Sequence, residues 1–256
     1  MSRDAPARIV VEKAGSRTRI TELTASAYLR PRLLAGDGPR VALVAACASL
    51  LAGDHLRLEV EVGAGASLEL VEPSGTVAYD ARGGRADWTA SIRVGERGRM
   101  VWGGAPFVVA HGADVHRHTG IELDPGAAIL HRETLVLGRS NECGGALRST
   151  LSAVREGRPL QVEELDLADP VLRSSPAVLG TRRVLATATL LGCRPEELAD
   201  PHETSLDGPG ALRRELADHA HLAEDALEPT WARWKALTVR VGATAASRSS
   251  ASRTYR

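Results

Sequence analysis

The chain has 256 residues with 32 basic and 32 acidic side chains, and this balance removes any electrostatic reason to expect nucleic acid or an anionic membrane as a partner. Apolar residues make up 43% and aromatics only 3%, so a sizeable core is available but must be built mostly from Val, Leu, Ile and Ala. Cys47, Cys143 and Cys193 are scattered without a CxxC pair, which argues against a disulfide framework or zinc cage, and the longest apolar run, Val41 to Ala52, falls well short of the ~20 residues needed to span a bilayer.

Charges run through Met1–Gly15 where a signal peptide needs its apolar stretch, so the expectation is a cytoplasmic protein. Residues 7–34 alternate apolar and polar and read as three short strands, with Pro31 tolerable only at an edge or a strand end. Val41–Leu51 is nearly continuous apolar, which fits a strand buried on both faces or a short buried helix.

From Gly53 to about Leu165 one short pattern recurs four times, over His55–Pro73, Trp88–Pro106, His118–Gly138 and Leu147–Leu167. Each copy is an alternating run, a Gly-containing turn, then a second alternating run. Aligned on Gly65, Gly98, Gly126 and Gly157, the copies lie roughly thirty residues apart, the period of stacked repeats. Alternation puts one face of each strand in a core, and the Gly, Pro and Asp of the turns suit tight reversals. The reading is a stack of β-hairpins.

Thr181–Leu191 reads as a last long strand. Beyond it the period changes. Asp207 can cap a helix with Pro209 in its first turn and Leu212, Leu216, Ala220 and Leu227 roughly along one face. Pro229 restarts a second short helix carrying Trp231 and Trp234 at i, i+3, and the small polar residues from Gly242 read as a disordered tail.

Signals for chemistry are sparse. Gly63-x-Gly65 has Leu68 where a dinucleotide fingerprint needs its third Gly, and no GK[ST] or GxSxG occurs. His116, His118 and Glu122 match the core of the first cupin motif, because i and i+2 on a strand share a face and two imidazoles with a carboxylate can converge on a metal. The second cupin motif is missing, and the alternative is a solvated strand face. Trp231 and Trp234 read either as partner-binding anchors or as staples holding the C-terminal helix to the β core. The residues alone give a β-repeat scaffold with no catalytic constellation.

The order and spacing of several segments resemble the urease accessory protein UreD (UreH) family. They are Ala52–Leu70, Pro73–Tyr79, Glu133–Glu142, Glu164–Leu167 and Thr230–Trp231. The resemblance runs from about residue 16 to Ala236. Gly103–Phe107 stands where the family commonly has Pro-Gln-Glu, and Asn141 replaces the usual Gly before the second Glu of its "GR..GE" segment. The resemblance implies a mainly β, solenoid-like platform of stacked β-hairpin repeats with two short C-terminal helices, at about 209–237 within one domain over 1–241. The tail would cover 242–256. It also implies a non-enzymatic role in a complex with UreF, the GTPase UreG and the urease apoprotein during nickel insertion. No cofactor would be tightly bound, and nickel would be held transiently.

Glu133 and Glu142, in the segment most similar to that family, are the candidate nickel contacts, with Arg139 between them a candidate partner contact. On a strand Glu133 shares a face with Leu135 and Leu137, where an unpaired acid is costly, and Arg139 is close enough in sequence to compensate it. The functional reading is a polar path whose carboxylates hold a divalent ion. The structural reading is an ion pair closing the strand end.

Overall fold

A computed structural model of the chain describes residues 5–36, 38–47 and 50–250, with residues 240–250 followed by backbone alone. The tail expected over 242–256 lies outside the residues described with side chains. Alternating stretches become strands because their apolar sets share one face. β1 (Ala7–Ala14) and β2 (Arg17–Thr24) form a hairpin about left-handed Gly15, and β3 (Leu29–Leu34) with β4 (Arg40–Ala45) forms another. Pro31 sits in β3, the edge strand of its sheet, where its missing N–H leaves no neighbour wanting.

The repeats supply β5 (His55–Val62), β6 (Ser67–Val71), β7 (Thr76–Ala78), β8 (Ala86–Val94), β9 (Arg99–Val109), β10 (Asp114–Leu123), β11 (Ala128–Leu137), β12 (Ala146–Arg155) and β13 (Arg158–Asp166). The mainly β, stacked-repeat platform is what the chain builds. The pairing inside the copies refines the expectation. In the first three, the turn carries the chain from one sheet to another, and each strand pairs in parallel with its counterpart one repeat away. Thus Val62 pairs with Val94 rather than with Ser67, and Ser67 pairs with Arg99. Period-two alternation does not say whether a turn reverses within a sheet or crosses between sheets, and here the crossing wins.

The crossing turns are short and stack on one another. Ala66, Gly98 and Ala127 each donate a backbone N–H to the carbonyl three residues back, while Gly65 N–H reaches Glu96 O and Arg97 N–H reaches Pro125 O. The left-handed position falls on Gly65, Arg97 and Gly126, with φ of 63°, 56° and 69°, so the second copy uses Arg97 where Gly98 was aligned. Only the fourth copy is a true hairpin. Glu156 and Gly157, with φ of 51° and 76°, form a two-residue reversal that pairs Arg155 with Arg158.

The last elements are α1 (Pro170–Arg173), β14 (Val184–Leu191), β15 (Glu203–Ser205), β16 (Gly210–Ala217) and α2 (Ala220–Ser250). Two expectations are corrected here. The first of the two short helices, placed from about 209, is strand β16, and there is a single C-terminal helix. Leu212 and Leu216 are four apart, a spacing that fits a period of two as well as 3.6, and Pro209 precedes the strand. Pro229 lies inside α2 instead of restarting it. Its side chain faces solvent, and the packing of the helix on the nine-stranded sheet outweighs the usual cost of about 3 kcal/mol.

Two sheets result. One has seven strands in the order β13-β12-β10-β8-β5-β1-β2, and the other has nine, ordered β15-β16-β14-β11-β9-β6-β4-β3 with β7 beside β9. Between them lies the main core, including Ile9, Leu58, Val60, Met100, Trp102, Ile121, Ile129 and Leu135. The outer face of the nine-stranded sheet is covered by α2, whose Ala223, Leu227, Trp231 and Trp234 pack on Leu130, Val136, Ala186 and Leu190. Thr230 joins this contact through a buried network: its hydroxyl donates to Glu203 Oε1 at 2.6 Å and accepts from Arg213 Nη1 at 3.0 Å, and Arg233 also pairs with Glu203. No helix among the described residues is long and apolar enough to cross a membrane.

Candidate functional site

The polar groups that stand out are inside the molecule. On β10, alternation turns Val115, Arg117, Thr119, Ile121 and Leu123 inward, so Arg117 enters the core and is 6% exposed. On β11 the inward set is Ile129, His131, Glu133, Leu135 and Leu137, which places Glu133 opposite Arg117. Their ion pair is 2.9 Å. The guanidinium also lies 4.2 Å from the Trp88 ring centroid and 5.3 Å from that of Phe107, so aromatic faces complete its surroundings.

A bulge in β9 completes the site. Arg132 pairs with Gly103 but Thr134 with Pro106, so Gly104 and Ala105 together oppose Glu133. The freed Ala105 N–H donates to Glu72 Oε2 at 3.2 Å, and Trp102 Nε1–H donates to Glu72 Oε1 at 2.9 Å. Gly104 is required here, because a Cβ at that position would stand 2.5 Å from the Arg132 carbonyl oxygen. Burial pushes the Glu72 carboxyl above the usual carboxylate range, against the opposing pull of Arg117.

His131 lies tilted by 33° against Trp102 with ring centroids 4.6 Å apart, and Trp102 in turn stacks on Trp88 at 5.9 Å. Burial, and then the charge of Arg117, hold its pKa down to about 3, so the imidazole stays neutral at ordinary pH. Its Nε2 and the Nε of Arg117 are buried without a hydrogen-bond partner. Glu133 separates two small cavities. One, of about 10 Å³, is lined by Glu72, Arg117 and Arg132; the other, of about 20 Å³, by His131, Ser149, Glu163, Thr187 and Thr189. Each has room for about one water. A polar seam therefore crosses successive coils of the stack, from Glu72 through Arg117 and Glu133 to Glu163.

The other predicted residues fall elsewhere. His116, His118 and Glu122 share the outward face of β10, in the parity opposite to Arg117. His116 lies 3.2 Å from Arg85 Nη1 and 3.5 Å from Arg148 Nη1, while His118 Nδ1 is 2.8 Å from Thr150 Oγ1. Two arginines beside His116 are poor company for a metal cation. Among the described residues no group of three His, Cys, Asp or Glu side chains stands close enough to hold a metal ion.

Arg139 does not compensate Glu133; Arg117 does. Arg139 instead pairs with Glu142 at 2.5 Å in the loop after β11. Glu142 also accepts the backbone N–H groups of Arg139 and His111, and these donors, led by the Arg139 side chain, hold its pKa down to about 2. With its oxygens engaged in this way it closes the loop and stands apart from the seam. Trp231 and Trp234 are 7% and 1% exposed against the nine-stranded sheet, so neither is free as a surface anchor. Arg132 covers Trp231 at 4.9 Å and pairs with Glu228 at 3.3 Å.

The sequence reading missed Arg117, Glu72 and His131. The signal for Arg117 was present: if His116 and His118 face outward, the arginine between them faces the core. Nothing local marks Glu72, because its donors come from Trp102 and Ala105, about thirty residues downstream.

Residues 3–251 match the family described as UreD urease accessory protein. The chain is 49% identical over 235 residues to a urease accessory protein UreD 1 of Streptomyces griseus, covering 91% of this chain and 92% of that protein. It is also 32% identical to a urease accessory protein UreD 2 of Saccharopolyspora erythraea, over 79% and 78% of the two chains. A urease accessory protein UreD of Cereibacter sphaeroides is 34% identical, over 73% and 70%.

Proposed function

The chain belongs to the UreD urease accessory protein family, and on that premise we propose that it is a non-enzymatic cytoplasmic scaffold that assembles with UreF and UreG on the urease apoprotein during nickel insertion. The observation that carries the metal part of this reading is the seam through the core, with Glu133 at its centre and Glu72 and Glu163 on either side. In this reading the carboxylates of Glu72 and Glu133, with Glu163 at the outer end where it pairs with Arg214, offer successive oxygen donors to a divalent cation. Of the two carboxylates read as nickel contacts, Glu133 lies in this seam and Glu142 does not.

The sequence carries no GK[ST] phosphate loop, and in this reading hydrolysis of GTP falls to UreG. Co-purification of the full chain with UreF, UreG and apo-urease, followed by activation with nickel and GTP, tests the reading. The expected result is a stable assembly whose urease activation is lost when this chain is omitted. Activation that proceeds equally without it would overturn the proposal.

A further inference from the structure

Arg99 is the first residue of β9, and alternation turns it to the same side as Val101, under α2 and away from the main core. It is 7% exposed, a depth at which arginine is rare without a paired acid. Its Nη1 donates to the carbonyls of Gly98 and Gly126 at 2.7 and 2.6 Å, both in the crossing turns, and its Nε is buried with no partner. Among the described residues no carboxylate pairs with it, and burial lowers the pKa of the guanidinium. This cation lies in the wall of a cavity of about 810 Å³ between α2, the crossing turns and the turn joining β3 to β4. Five basic side chains line the cavity, Lys13, Arg40, Arg97, Arg99 and Lys235, against the two carboxylates of Glu69 and Glu96. That is an excess of three positive charges in a chain of zero net charge. Glu69 is shared by Lys235 at 2.8 Å and Arg40 at 3.6 Å, and Glu96 is taken by Arg97 at 3.0 Å, so neither serves Arg99. Gly36, Gly38 and Gly65 form part of the wall, and a Cβ at any of them would meet nothing within 4 Å, so backbone faces open space there.

We propose that this cavity is a docking site for an acidic segment of a partner protein, one of whose carboxylates pairs with Arg99. A buried guanidinium with unused donors suits a carboxylate, and the surrounding basic excess attracts further acids on the same segment. The volume is far more than a single oxyanion fills, and the open backbone of the glycine-containing turns admits an extended chain. A local excess in a chain of zero net charge favours a short acidic segment over a nucleic acid, which needs a broad basic surface. That a protein partner supplies the segment rests on the scaffold reading above, whereas the charge and shape of the cavity do not.

The test is fluorescence anisotropy of a labelled glutamate-rich peptide titrated with the purified full chain, with the matching lysine-rich peptide as control. The acidic peptide should bind and the basic one should not. Arg99→Met should weaken binding at least about tenfold, as expected for a lost charge-assisted contact in a buried site. Lys13 is exposed and donates only to the Ser16 carbonyl, so Lys13→Glu leaves the interior untouched and should weaken binding about threefold or more. Arg57→Glu makes the same change of net charge on the outward face of β5 and should leave binding unchanged. If Arg99→Met does not fold, the contrast between Lys13→Glu and Arg57→Glu decides. Equal affinity in wild type and folded Arg99→Met, or equal weakening by Lys13→Glu and Arg57→Glu, would overturn the proposal. So would a cavity that binds citrate or phosphate, read as a rise in melting temperature absent from Arg99→Met, while the acidic peptide does not bind; the ligand would then be a free anion. The measurement uses neither nickel nor the accessory set, so it fails separately from the scaffold reading. Peptide binding that meets these expectations, beside urease activation that proceeds without this chain, keeps the site and removes only the urease complex as its setting.

Discussion

Replacing Trp234 with Ala distinguishes a staple from a binding anchor. The side chain is 1% exposed among Leu130, Val136, Leu190 and Leu227. A tryptophan hides roughly 200 Å² or more, which at about 25 cal/mol per Å² sets a ceiling near 5 kcal/mol. The unfolded chain already hides part of that area, while the cavity left behind adds a cost, so about 3–5 kcal/mol is expected. For a chain of this size that lowers the melting temperature by roughly 6–20 °C. The assay is thermal unfolding by circular dichroism, with Leu222→Ala as control, since Leu222 is 50% exposed on the same helix. Partner capture at a temperature where both variants are folded completes the experiment. An unchanged melt with lost partner binding would refute the reasoning, because it would mean that the indole faces a partner.

Acid should destabilise the protein through His131 in particular. Its folded pKa of about 3 lies below the unfolded value of 6.5, so stability is full above about pH 6.5 and falls as pH drops towards 3. The loss at pH 4 is about 3 kcal/mol, and His131→Leu should flatten the melting temperature over that range. Thr230→Val removes a buried hydroxyl that serves both Glu203 and Arg213, and unfolding in urea should show a loss of about 1–3 kcal/mol. His116→Ala with His118→Ala changes only the outward face of β10. Melting should move by no more than about 0.5 kcal/mol of equivalent stability and urease activation should persist; loss of bound metal together with activation would restore the cupin-like reading.

Strand content and the stacking period were legible because alternation and turn residues are local. The crossing of chain between sheets was not, since Val62 and Ser67 look the same whether they pair together or with Val94 and Arg99. Leu212 and Leu216 misled because a spacing of four satisfies both periods, and only the neighbours β14 and β15 decide for the strand. Of the site, Glu133 was visible as an acid on an apolar face. Its partner was not Arg139, six residues along, but Arg117 on the facing sheet, and contacts of that kind depend on which strands stack. The tryptophans were visible as a pair, while their burial depends on the Ala-rich outer face of β14.

The account turns on Glu133 as a functional carboxylate within a stable scaffold, and Glu133→Gln measured in nickel-dependent urease activation tests it most directly. Gln is nearly isosteric but leaves Arg117 without its charge partner, so some loss of stability is expected and the comparison is made on folded, assembled complex. The account predicts that the variant still assembles with the accessory partners and the urease apoprotein, while activation falls at least about tenfold for the loss of one charged donor. Full activation by the assembled Glu133→Gln complex would contradict it.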